Sequence, residues 1–148
     1  MTARIHPAHF TIEAMTAYLS EIFPQAGIGE TFFVEEILPM RAKMRLVFDD
    51  KHLRPGGTIS GPSMFALADV ALYVAVLGEV GRVKLAVTTS LNINFLKRPP
   101  PADLIGEARL LKLGKRLAVG EVAIHSAAES ELVAHAVGTY SIPAAKRD

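Results

Sequence analysis

The 148-residue chain contains no cysteine and no tryptophan, few aromatic residues (7%), and almost no net charge, with 16 Lys and Arg set against 15 Asp and Glu. Without cysteine there can be no disulfide, no thiolate nucleophile and no Cys-ligated zinc or iron–sulfur centre, and the composition fits a reducing compartment. A net charge of +1 supplies no electrostatic footprint for a polyanion, so nucleic acid is not an expected partner. The five histidines include His52, His125 and His135, but no pair has metal-ligand spacing, and no metal site is expected. Ser-His-Asp order, a phosphate loop and a dinucleotide fingerprint are all missing, because PGG and LGKR are too short to qualify. The N-terminal MTARIHPAHF holds no apolar segment of signal-peptide length, and no repeat, low-complexity tract or linker interrupts the chain.

What the chain has in surplus is apolar surface: half of its residues are hydrophobic and its mean hydropathy is +0.29. A chain of this length suits one domain, burying roughly 70% of its unfolded surface. The excess is expected either in a membrane or at a subunit interface. The longest apolar run, Met64 to Leu77, has Asp69 as its only charge. As a helix that run extends about 21 Å, short of a hydrocarbon core of about 30 Å. We therefore read it as a helix buried by protein rather than lipid, in a cytoplasmic protein without membrane partners.

Periodicity divides the rest. Residues 10–22 place Phe10, Ala14, Ala17 or Tyr18 and Glu21 at helical spacing before Pro24 and Gly27. Thr31 to Leu38 reads as a strand, and Met40 to Phe48 alternates between apolar residues and Arg41, Lys43 and Arg45. Residues 49–63, rich in Asp, Pro, Gly and Ser, form a loop leading into the apolar helix, with Pro62 in its first turn and Gly78 and Gly81 as stop signals. Four strands follow over Val83 to Leu96, Leu104 to Leu113, Leu117 to Ser126 and Leu132 to Ile142. In the first, Thr88, Ser90, Asn92 and Asn94 alternate with the apolar positions. Lacking helices between them, these strands are expected as an antiparallel meander within one sheet wrapped around the buried helix, an α+β arrangement. A partner subunit would cover the sheet's second face.

Asp69 is the residue that needs explaining. Phe65, Leu67, Ala68, Val70, Leu72 and Val76 surround it with apolar surface that penalises its charge. It is either a satisfied buried carboxylate, an interface acid paired with Arg or Lys, or a catalytic group. Just before the helix, SGPS offers backbone N–H groups at a positive helix end, suited to an anion or a developing oxyanion; equally, Gly61 and Pro62 can simply start a helix. Gly61 lies a little over two turns ahead of Asp69, so a carbonyl held at Gly61 need not reach Asp69 of the same subunit, and a carboxylate of the neighbouring subunit could complete the site.

The segments GGTISGPSMFALADVA, TTSLNINFLKRP, DLIGEARLLKLGKRLAVGEVAI and LVAHAVGTYSI resemble the hotdog-fold acyl-CoA thioesterases of the phenylacetate-pathway type, relatives of 4-hydroxybenzoyl-CoA thioesterase. The resemblance spans about residues 30–142, between an N-terminal helix with its lead-in (1–29) and a polar tail (143–148) in a single hotdog domain. It implies a homodimer or homotetramer with sites at the subunit interface, and a small, medium or aryl acyl-CoA thioester as substrate. Coenzyme A then enters as part of the substrate and no separate cofactor is implied. Asp69 would be general base or nucleophile, and the Gly61 N–H the oxyanion donor. The family's His-Gly-Gly is here Ser60-Gly61-Pro62, and its loop Asn is Arg54, which would pair with Asp69 of the neighbouring subunit or bind an acidic acyl group. Tyr73, four residues beyond Asp69 on the same helical face, either reaches the site or belongs to the core. Asn92 and Asn94 would border the acyl pocket or lie on the wet side of the sheet. Lys97, Arg98, Lys112, Lys115 and Arg116 sit at strand ends, either as a grip on coenzyme A phosphates or as solvated turns. The alternative to catalysis is a non-catalytic acyl-CoA binding or sensing module.

Overall fold

Most positions facing the long apolar helix carry hydrocarbon or no side chain at all, and this requirement organises the fold. The computed structural model describes residues 10–144; the start of the N-terminal lead-in and the end of the polar tail lie outside them. Helix α1 (Ile12–Ile22) is capped by Thr11, whose Oγ1 accepts from the Ala14 N–H at 3.0 Å. Its buried stripe is Met15, Tyr18 and Leu19. Of the alternatives Ala17 and Tyr18 it is Tyr18 that is buried, whereas Glu21, expected on that stripe, is exposed, because the apolar arc is centred on the larger side chains. Strands β1 (Phe32–Leu38) and β2 (Arg41–Leu46) form a hairpin, and β2 buries Ala42, Met44 and Leu46 as its alternation predicts. Met40 in the turn has φ 63°, and its N–H donates to the buried Glu79 carboxylate at 2.9 Å.

The loop that follows holds a two-strand ribbon, β3 (Leu53–Arg54) and β4 (Thr58–Ile59). Helix α2 (Gly61–Val80) then begins at the Ser60 cap, whose Oγ accepts from the Ser63 N–H at 3.3 Å, and ends at Gly81 with φ 87°. Gly78 lies inside the helix rather than ending it: a β-carbon there would stand 3.1 Å from Ile37 Cγ2, so the glycine admits β1. The helix has 20 residues and is about 30 Å long, so length does not distinguish it from a membrane span, as the shorter run had suggested. Burial does: it is the core helix, with 67% of its most apolar window buried, packed against the strands of the sheet.

The remaining strands are β5 (Val87–Phe95), β6 (Leu104–Leu113), β7 (Leu117–Ser126) and β8 (Leu132–Ser141). All six long strands make one antiparallel sheet in the order β1-β2-β6-β7-β8-β5. Only β6, β7 and β8 form the expected meander; β5 pairs with β8 at the far edge. Three strand spacings separate β5 from β6, about 14 Å, too far for a tight turn but within reach of the eight-residue segment 96–103 with its Pro99-Pro100-Pro101. The helix-facing rows of β6, β7 and β8 include Gly106, Gly120 and Gly138, on which Leu67 and Leu72 of α2 rest.

Candidate active site

Asp69 leaves α2 toward the start of β5 and the end of β8. Its Oδ1 accepts hydrogen bonds from Thr88 Oγ1 at 2.6 Å and from the Tyr140 hydroxyl at 2.7 Å. The same hydroxyl lies 2.9 Å from the Asp69 backbone carbonyl. Oδ2 takes no hydrogen bond from the described residues. The carboxylate borders a cavity of about 350 Å³ lined also by Ile22, Phe23, Tyr73, Lys84 and Val87. Tyr73 stacks on Tyr140 with ring centroids 5.8 Å apart and donates its hydroxyl to the Lys84 carbonyl at 2.9 Å. It is therefore both core and cavity wall. Burial and the adjacent Asp69 carboxylate push the Tyr140 phenol well above its ordinary range, so the hydroxyl keeps its proton.

Helix α1 borders this cavity at its C-terminal end, and Arg82 stacks on rings nearer its N-terminus. The guanidinium stands 4.8 Å from the Phe10 ring centroid and 5.4 Å from that of Tyr18, a cation–π clamp between the end of α2 and the outer helix. Ile22 and Phe23 then close one wall.

Gly61 faces a different hollow, of about 410 Å³, with Arg54, Met64, Phe95, Leu96, Lys97 and Arg98. As the first residue of α2, its N–H has no intrahelical acceptor, and Pro62 has no N–H to offer. The backbone is closely approached there: a β-carbon on Gly61 would lie 3.2 Å from Phe95 Cζ. Eight residues of helix separate Gly61 from Asp69 by about 12 Å along the axis and about 80° around it. Within one chain the two do not share a cavity.

The other expected residues divide. Arg54 lines the Gly61 hollow, and Ser60 serves as the α2 cap, its Oγ also 2.9 Å from Ser63 Oγ. Asn92 and Asn94 are exposed, opposite the half-buried Leu91 and Ile93. Lys97 Nζ is held by Glu129 and Glu131 at 3.1 and 3.0 Å, while Arg98 is exposed at the same hollow. Lys112, Lys115 and Arg116 are exposed around the β6–β7 turn, at the end of the sheet where Leu117 and Val87 both pair with Ser141. The basic residues thus form two groups at opposite ends, because β5 and β6 run in opposite directions.

Thr88 and Tyr140 were not singled out from sequence. Strict alternation places Thr88 on the polar row with Ser90, but the register shifts between Thr88 and Ser90. That bulge turns Thr88 inward while Leu91 and Ile93 keep the core face. Tyr140 occupies an inward position two residues after Gly138, where an aromatic ring is unremarkable unless its hydroxyl has a partner.

An antiparallel sheet curved around one apolar helix that carries a clamped acid over a cavity defines a hotdog protein. Residues 56–133 match the family model of the thioesterase superfamily. The chain is 34% identical over 122 residues to a candidate esterase of Saccharolobus solfataricus, covering 82% of this chain and 77% of that one. A candidate thioesterase from a Silicibacter species has a solved structure with a TM-score of 0.82 and 47% identity, over 90% of this chain and 92% of its own. The phenylacetic acid degradation protein PaaI of Thermus thermophilus superposes with a TM-score of 0.68 at 26% identity, over 76% and 93%. The chain belongs to the thioesterase superfamily, and thioester hydrolysis is the class of activity this membership carries.

Proposed function

We propose that the protein is an acyl-CoA thioesterase acting on a small, medium or aryl acyl group, with its sites built between two subunits. The observation that carries this reading is the Asp69 carboxylate, held by Thr88 and Tyr140 through one oxygen and open through the other at a cavity. In this mechanism Asp69 takes a proton from water as the water oxygen attacks the thioester carbonyl carbon. The carbonyl oxygen becomes an oxyanion against the Gly61 N–H of the other subunit, the C–S bond breaks, and the departing thiolate takes up the proton. Direct attack by Asp69 through a mixed anhydride uses the same atoms, followed by water.

Two subunits are required because Gly61 and Asp69 line separate hollows. The β5 edge is the natural seam: it has no neighbour beyond β8, and Val87, Phe95 and the following Leu96 are more than half exposed. Arg54 and Arg98 beside Gly61 are suited to an anionic group, and the phosphates of coenzyme A supply one. The reducing cytoplasm is the compartment that a cysteine-free acyl-CoA enzyme fits. The experiment is a panel of acyl-CoA thioesters with thiol detection: release of free thiol supports the reading, and tight acyl-CoA binding without any release replaces it with a binding module.

A further inference from the structure

We infer that Tyr140 is the positioning residue of the Asp69 carboxylate, fixing which oxygen reacts. The inference rests on the reading of Asp69 as the reacting acid. Two hydroxyls, from β5 and β8, converge on Oδ1 at 2.6 and 2.7 Å, so that oxygen is occupied and Oδ2 is left for water. Tyr140 does more than duplicate Thr88. Its hydroxyl lies within hydrogen-bonding distance of both the carboxylate and the main-chain carbonyl of the same residue, 2.9 Å from the latter. It therefore registers the side chain against its own backbone and restricts rotation about the Cα–Cβ bond.

The tyrosine is itself well held. Its ring lies nearly parallel to that of Tyr73, at 14°, and Tyr73 is anchored to the Lys84 carbonyl. Burial and the neighbouring carboxylate keep its phenol protonated, so it remains a donor throughout the working range. A carboxylate with a free torsion spends part of its time with neither oxygen aimed at the carbonyl, and misplacement of the reacting group by about 1 Å can cost about 10²-fold in rate. Binding of the substrate, which involves other groups, is unaffected by that torsion.

Tyr140→Phe keeps the ring and removes only the donor. The expected result is a fall in kcat of about tenfold or more with KM within about twofold, at a temperature where the variant is fully folded by circular dichroism. Thr88→Ser should retain most of the wild-type kcat and Thr88→Val should lose it. Independently of turnover, proton NMR of the wild-type protein should show a downfield Tyr140 hydroxyl resonance that Asp69→Asn shifts or abolishes. Unchanged kcat in Tyr140→Phe, or equal loss in kcat and 1/KM, overturns the inference. If that variant does not fold, the hydroxyl resonance decides alone, and its insensitivity to Asp69→Asn is then the overturning result. Full hydrolysis in Asp69→Asn sinks instead the catalytic reading beneath it.

Discussion

Leu72 packs directly onto the α-carbon of Gly120: a β-carbon on that glycine would stand 2.6 Å from Leu72 Cδ1 and 2.9 Å from the Arg109 carbonyl. Gly138, paired opposite Gly120 across β7 and β8, meets the other Leu72 methyl at 2.8 Å in the same sense. The two glycines form a notch in the sheet that lets α2 sit close. Gly120→Ala should destabilise the protein by about 1–3 kcal/mol through overpacking, since backbone on one side cannot yield. Thermal unfolding followed by circular dichroism checks this; a melting temperature equal to wild type would show that Leu72 moves aside freely.

Asp69→Asn preserves shape while removing the proton acceptor. Hydrolysis of the best substrate should fall by about 10²- to 10⁴-fold, with little change in melting temperature. Steady-state kinetics with thiol detection provide the measurement, and a loss of less than threefold would remove Asp69 from the mechanism.

Gly61→Pro deletes the proposed oxyanion donor at a first-turn helix position, where Ser60 already has the extended ψ of 153° that a residue before proline needs; the added β-carbon stands 3.2 Å from Phe95 Cζ, so the half-exposed Phe95 ring must shift by a few tenths of an ångström. The variant should fold and be nearly inactive. Mixing it with Asp69→Asn under conditions of subunit exchange should restore activity, because a mixed dimer contains one site with both groups intact. Absence of any recovery after verified exchange would place the two groups in one subunit's site or in none.

His52 is buried in the loop before α2 with its Nδ1 unpartnered among the described residues. Desolvation, reinforced by Lys51, lowers its pKa below the ordinary histidine value. The unfolded chain therefore takes up a proton, as pH falls through about 6.5, that the folded protein declines until lower pH. Stability present above that range should be lost on acidification. Comparing denaturant midpoints at pH 7 and pH 5, His52→Gln should show a smaller drop than wild type; an equal or larger drop would assign the acid sensitivity elsewhere.

Asp69 could be read from the sequence because a lone charge in an apolar helix carries a desolvation penalty that demands a reason, and Gly61 because of its place at a helix start. Strands β6, β7 and β8 were equally legible, each being a run of alternating residues between turn signals, and the sequence bounds of β6 and β7 match the structure. The neighbours of β5 were not, since strand pairing depends on the length of a connection and on which edge remains open rather than on local pattern. The bulge that turns Thr88 toward Asp69 is likewise a property of the β5–β8 pairing, invisible while β5 is treated alone. Tyr140 escaped for a related reason: its ring satisfies the core, and only the three-dimensional partner of its hydroxyl reveals a second role.

The position of β5 also bears on the order in which the chain assembles. The β6–β7–β8 hairpins close short loops, whereas Thr88 and Tyr140 become neighbours only after some fifty residues, including the proline crossover and two strands, have been enclosed. Loop-closure entropy places that pairing late. A chain that holds its apolar helix against β6, β7 and β8 already has Tyr140 beside Asp69 but not Thr88, so the second hydroxyl on Oδ1 reports arrival of the final strand.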